Sequence, residues 1–128
     1  MISVSFPASL FDFAELGKAR TALHWAILRE MRDGGRSWAA RDENGLLIGL
    51  FGLYPLGDGV AEAWFNVRPE AGRHMRAILS HARLTLPAQH YFEIVTICVS
   101  RDGERIAQAL GFEFFETSEL GDVWKWTH

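Results

Sequence analysis

The stretch EAWFNVRPEAGRHMRAIL, Glu62–Leu79, decides the fold. EAWFNV reads as a strand, and Pro69, which has no N–H to give a ladder, stops it. From Gly72 to Leu86 the residues Met75, Ile78, Leu79, Ala82 and Leu86 fall on one helical face, which must lie on a sheet. The opening turns of that helix carry Gly72, Arg73, His74 and Arg76, and no Asp or Glu occurs between Ala71 and Phe92. Arg73, Arg76 and Arg83 with His74, His81 and His90 therefore form a basic island in a chain of net charge −3. A helix start offers unpaired N–H groups and the positive end of the macrodipole, so this turn suits an anion, with Gly72 permitting close approach. The plainer reading is a solvated basic face on an amphipathic helix, and both stand open.

Outward from this stretch the pattern is that of a mixed α/β chain. Upstream, SWAARDENGLLIGLFGLYPLGDGVAEAWFNV reads as three antiparallel strands joined at DENG and LGDG, which hold the residues of tight hairpins. Residues 2–5 make a first strand stopped by Pro7, and ASLFDF begins a helical or irregular segment. Leu23, Ala26, Ile27 and Met31 have helical spacing, predicting a helix over Leu16–Met31 ended by Gly34 and Gly35 at positive φ. Downstream, YFEIVTICV reads as a strand covered on both sides, parallel to EAWFNV through a right-handed crossover. SRDGERIAQALGF is a short helix with Ser100 or Asp102 as N-cap and Gly111 as its stop, and strands FEFFET and DVWKWT follow, joined by SELG.

With 128 residues and 48% hydrophobic content, one domain with one core is expected, without repeats or linkers. The charge balance points to no nucleic-acid partner. Cys98 is the only cysteine, so an intramolecular disulfide and a paired-cysteine metal site are excluded, which fits a cytoplasmic setting. MISVSFPASLFDF lacks a basic n-region, and no apolar run approaches the roughly 20 residues of a membrane span, so a soluble chain without export signal or membrane partner is predicted.

The order of elements resembles the GNAT superfamily of acyl-CoA-dependent N-acetyltransferases from about residue 37 to the C-terminus. VRPEAGRHMRAIL stands where that family has a strand, a pyrophosphate loop of the form Q/R-x-x-G-x-G/A and a helix, and ALGFEFFE resembles its penultimate helix, GF turn and strand. The resemblance implies an α+β fold whose central sheet is mostly antiparallel with one parallel pair and flanked by helices. It implies acetyl-CoA as co-substrate, held by backbone groups of Phe65, Asn66 and Val67 along the pantetheine arm and by N–H groups of Gly72, Arg73, His74, Met75 and Arg76 at the pyrophosphate. No metal is implied. Transfer to a small-molecule or protein amine needs a base, an oxyanion donor and an acid for the thiolate. For the base the resemblance points to Glu62 or a water, and for a donor to Ser100.

Three departures set the chain apart from the family pattern. The loop is about one residue short and keeps a single Gly, with His74 and Met75 where a small residue would sit near the phosphates. Ala107 stands where many members carry the Tyr that protonates the thiolate. Ser100 replaces an Asn and reads first as a helix cap. Glu62 reads equally as an exposed strand carboxylate, Asp58 as turn chemistry, His81 as solvated, and Cys98 as a buried inert thiol. Trp124 and Trp126 alternate to one face with Lys125 opposite, as in a half-buried strand, with substrate stacking the other reading for these residues and Trp64.

A narrower resemblance, carried by AEAWFNV, the basic helix and ALGFEFFET, is to internal virion proteins of podoviruses with a degenerate GNAT-like fold. Three readings follow: an N-acetyltransferase, a noncatalytic CoA-binding module, and a phage or prophage-derived structural protein whose partners are particle components. The final strand DVWKWTH could pair across a homodimer, with Lys125 guarding the edge.

Overall fold

Both turn signals, DENG and LGDG, close the hairpins they predict. In DENG, Asp42 Oδ1 accepts from the N–H groups of Asn44 (2.9 Å) and Leu46 (3.0 Å), and Gly45 takes φ +84°. In LGDG, Asp58 and Gly59 have φ +55° and +77°, the two left-handed residues of a type I′ turn. The computed structural model describes all of Met1–His128. Its elements are β1 (Ser3–Ser5), α1 (Leu10–Gly17), α2 (Ala22–Gly34), β2 (Arg36–Arg41), β3 (Leu47–Gly57) and β4 (Val60–Val67). A 3-10 turn (Pro69–His74) leads into α3 (Met75–Ala88), followed by β5 (Glu93–Cys98), α4 (Arg101–Ala109), β6 (Glu113–Ser118) and β7 (Gly121–Thr127). The strand order is β1-β2-β3-β4-β5-β7-β6, with β4 and β5 the parallel pair expected from the sequence. No helix is long and apolar enough to cross a membrane.

The chain forms two compact units. The first comprises Met1–Tyr54 and Phe65–Met75, the second Pro55–Trp64 and Arg76–His128. In the first, β1 and β3 flank β2 antiparallel, and α1 packs on α2. Its core is Phe13, Trp38, Ile48, Leu50 and Phe51. Phe6, Trp38, Phe51 and Phe65 make a row of rings with centroid separations of 5.2, 5.5 and 5.6 Å. In the second, β7 pairs antiparallel with both β5 and β6, and α4 packs on β5. Ile78, Ala82 and Leu86, the predicted inner face of α3, are buried, as are Ile94, Ala107 and Phe112.

Four local expectations are corrected. The single helix over Leu16–Met31 is two helices: Lys18 ends α1 in the left-handed region, and the Thr21 hydroxyl starts α2 by accepting from His24 N–H. Leu28 is the buried residue of α2, whereas Leu23 and Ile27 are exposed. Gly35 terminates α2 in extended geometry (φ −121°), not at positive φ. A Cβ there would lie 2.5 Å from the Leu53 carbonyl, so close backbone approach is the reason for Gly. The helix read as far as Leu86 runs on to Ala88 with Pro87 in its last turn, where the lost N–H breaks only one terminal bond. The final strand is not an edge: β7 has neighbours on both sides and β6 is outermost, which removes the expected dimer pairing through DVWKWTH.

Candidate functional site

The basic stretch does not open directly as an α-helix. Pro69–His74 is a 3-10 turn whose N–H groups bond three residues back, and Met75 N–H donates to Gly72 O. The N–H groups of Gly72, Arg73, His74 and Met75 therefore lie within a helical ladder instead of ahead of one. This corrects the expected helix start, because the turn opens at Pro69 and its first bond is already Ala71 N–H to Arg68 O (3.0 Å). A Cβ on Gly72 would meet nothing within 4 Å, so the backbone there is open to approach. Arg76, in the first turn of α3, is exposed.

The side chains of the turn face a carboxylate that the sequence keeps distant. Glu43, in the DENG turn, has Oε1 3.7 Å from the Arg73 guanidinium and Oε2 3.9 Å from His74 Nε2. The Met1 amine stands 3.4 Å from the same Oε2. A hydrogen bond from its own N–H, and then the amine, hold the Glu43 carboxyl below its ordinary pKa of 4.5. His74 is turned inward at 14% exposure, and its Nε2 is buried without a hydrogen-bond partner. Arg83 is spent elsewhere, donating to Ala109 O at the end of α4 (2.6 Å).

Phe65, Asn66 and Val67 end β4. The Phe65 ring stacks on Phe51, and the Asn66 amide donates to Leu16 O at the close of α1 (3.1 Å). Arg68 pairs with Glu15 of α1, and its N–H donates to Ile48 O (2.9 Å). The last turn of α1 is thus tied to the end of β4, a link no periodicity reveals.

In the second unit the parallel ladder registers Val60 with Glu93, Ala61 with Ile94 and Glu62 with Val95. Just beyond it, Ala63 O accepts from the Thr96 hydroxyl at 2.9 Å. Glu62, half-buried at this point, makes no ion pair. Sequence reading missed Thr96, since a Thr in a strand is ordinary β chemistry.

Ser100 caps α4, accepting from Gly103 N–H at 3.1 Å, which leaves its O–H free to donate. Ala107 is buried, and its carbonyl accepts from Leu110 and Phe112 in the cap closed by Gly111 at φ +93°. No phenol stands there. Cys98 is buried, and burial, then Glu104 and Asp122, push its thiol pKa up, so it stays protonated and a poor nucleophile. The Trp124 indole N–H is buried without a partner, and its ring meets Phe114 edge-on. Lys125 pairs with Glu93 (3.3 Å) and lies over the Phe115 ring. At the end of β5 a shallow depression of about 470 Å³ is lined by Cys98, Ser100, Arg101, Glu104, Glu119 and Asp122 among others, three carboxylates to one guanidinium.

No protein-family model matches the sequence, and no curated protein is similar to it. Solved structures are. A GNAT-family acetyltransferase from Staphylococcus aureus Mu50 superposes with a TM-score of 0.76 at 13% identity, over 99% of each chain. PaiA N-acetyltransferase from Thermoplasma acidophilum, in complex with coenzyme A, gives 0.71 at 14%, over 100% of this chain and 99% of that one. A variant of spermidine N-acetyltransferase SpeG from Vibrio cholerae gives 0.66 at 16%, over 97% and 91%. The chain has the fold of these acetyltransferases.

Proposed function

We propose that the chain is an acetyl-CoA-dependent N-acetyltransferase whose acceptor is a small cationic amine. The observation that carries this reading is the end of the β4–β5 ladder at Glu62 and Val95, next to the Thr96 hydroxyl bound to Ala63 O, in a fold shared with acetyltransferases. Acetyl-CoA would supply the acyl group and a thiolate leaving group. Backbone groups of Phe65, Asn66 and Val67 would take the pantetheine amides, and the open backbone at Gly72 with Arg73, His74, Met75 and Arg76 would meet the pyrophosphate. His74, turned towards Glu43, stands clear of Gly72, which supports the fit.

Glu62 would take the ammonium proton, directly or through water, since it is half-buried and has no cation to neutralise it. With Ala107 in place of a phenol, the free O–H of Ser100 is the hydroxyl offered for the thiolate or oxyanion. Glu104, Glu119 and Asp122 around the depression favour a cationic acceptor, as does the likeness to a spermidine N-acetyltransferase.

Calorimetry with acetyl-CoA followed by thiol release against a panel of amines tests this. Glu62→Gln should lower kcat about 10²–10⁴-fold while leaving acetyl-CoA affinity in place, and Gly72→Glu should abolish both. No binding at millimolar acetyl-CoA sinks the reading. Binding without thiol release from any amine leaves a CoA-binding module, a reading that Ala107 favours.

A further inference from the structure

We propose that Glu43 is an internal competitor for the basic turn, occupying Arg73 and His74 so that only ligands with more negative charge than one carboxylate displace it. This rests on reading the turn as the place of a pyrophosphate, and it adds a selectivity that the turn's own residues lack.

Four observations support it. Between Ala71 and Phe92 there is no acidic residue, so the carboxylate that meets the turn is brought by the β2–β3 hairpin. That hairpin is held by Asp42, itself buried, whose Oδ1 accepts from Asn44 and Leu46, so Glu43 is presented by an ordered turn. The contacts to Arg73 and His74 are long, 3.7 and 3.9 Å, and the Arg73 and Glu43 side chains are 69% and 48% exposed. Pairs this exposed and this long are weak, which a displaceable contact requires. Arg73 and the Met1 amine, with His74 when protonated, face the single Glu43 carboxylate, so positive charge is left over for a second anion. A carboxylate or phosphate monoester would replace Glu43 at little gain. A pyrophosphate brings more charge and more acceptor oxygens.

The test titrates wild type, Glu43→Gln and Glu113→Gln with inorganic pyrophosphate and inorganic phosphate by calorimetry at low salt. The third variant makes the same charge change on β6. Removing one charge about 4 Å from the site should tighten pyrophosphate roughly fivefold in Glu43→Gln and leave Glu113→Gln at wild type. Phosphate should bind measurably only to Glu43→Gln, and the difference should shrink in 0.5 M salt, where screening is strong. Equal affinities in wild type and Glu43→Gln, equal tightening in both variants, or no binding by any protein overturns the proposal. Coenzyme A separates it from the acetyltransferase reading. Coenzyme A bound no tighter by Glu43→Gln overturns the competitor and leaves the enzyme. A pyrophosphate gain with no coenzyme A binding in either protein does the reverse.

Discussion

Asp12 is a buried carboxylate that the fold keeps ionised. Burial by itself pushes its pKa up, but the Ser9 N–H and the Arg41 guanidinium outweigh it and leave the group below its ordinary 3.8. The same side chain closes the capping box of α1, with Asp12 N–H donating in return to Ser9 Oγ at 3.1 Å. Because the folded pKa is depressed, its stabilisation is full above the unfolded value near 3.8 and is lost as pH falls through the lower folded value. Asp12→Ala should cost about 1–3 kcal/mol at pH 7, through the lost cap and the orphaned Arg41, as measured by urea unfolding. Its melting temperature should fall less steeply than that of wild type below pH 4, and parallel curves would refute the assignment. Nothing near Asp12 in sequence announces Arg41, whereas Ser9 and Asp12 do have capping-box spacing.

Elements begin and end where backbone sterics require. Gly45 and Gly35 look alike in sequence but answer to different constraints. Gly45 needs a positive φ of +84° in open space, whereas Gly35 has ordinary dihedrals and almost touches the Leu53 carbonyl. Gly45→Ala should therefore cost about 1–2 kcal/mol, the penalty of a left-handed L-residue. Gly35→Ala must push a Cβ against backbone on a neighbouring strand and should cost more, with a visibly larger drop in urea midpoint. Equal costs would mean that β3 yields freely at Leu53. The hairpins, α3 and α4 were legible because their signals are local: Asn-Gly and Asp-Gly turns, an apolar stripe, a Ser cap and a Gly stop. The division of the Leu16–Met31 segment was not, since one helical spacing runs from Leu16 through Leu23 and Ile27 although a turn separates Leu16 from the other two. Leu23 and Ile27 have core spacing, and only packing decides that Leu28 goes inward.

For the whole molecule, the acetyl-CoA reading has a thermodynamic signature. A ligand that binds only the native state, at about 100 times its dissociation constant, adds roughly 2.7 kcal/mol. For a chain of 128 residues this corresponds to a rise in melting temperature of about 10 °C. A scan with saturating acetyl-CoA should show it, and Gly72→Glu should lack it. Wild type unmoved by saturating acetyl-CoA would leave the fold without its proposed ligand.

The sequence alone determined the order of strands and helices from β2 onward, the parallel pair across the Glu62–Leu79 stretch, the hairpin chemistry and the absence of charge relief within the basic island, because each is written in nearest neighbours and short periods. Tertiary structure alone decided what that island faces. Glu43 meets Arg73 and His74, the Thr96 hydroxyl bonds Ala63 O, and β7 lies inside the sheet with β6 at its edge. These pairings join residues far apart along the chain, and such contacts are selected by packing and hydrogen bonding of the folded backbone, which leave no local pattern.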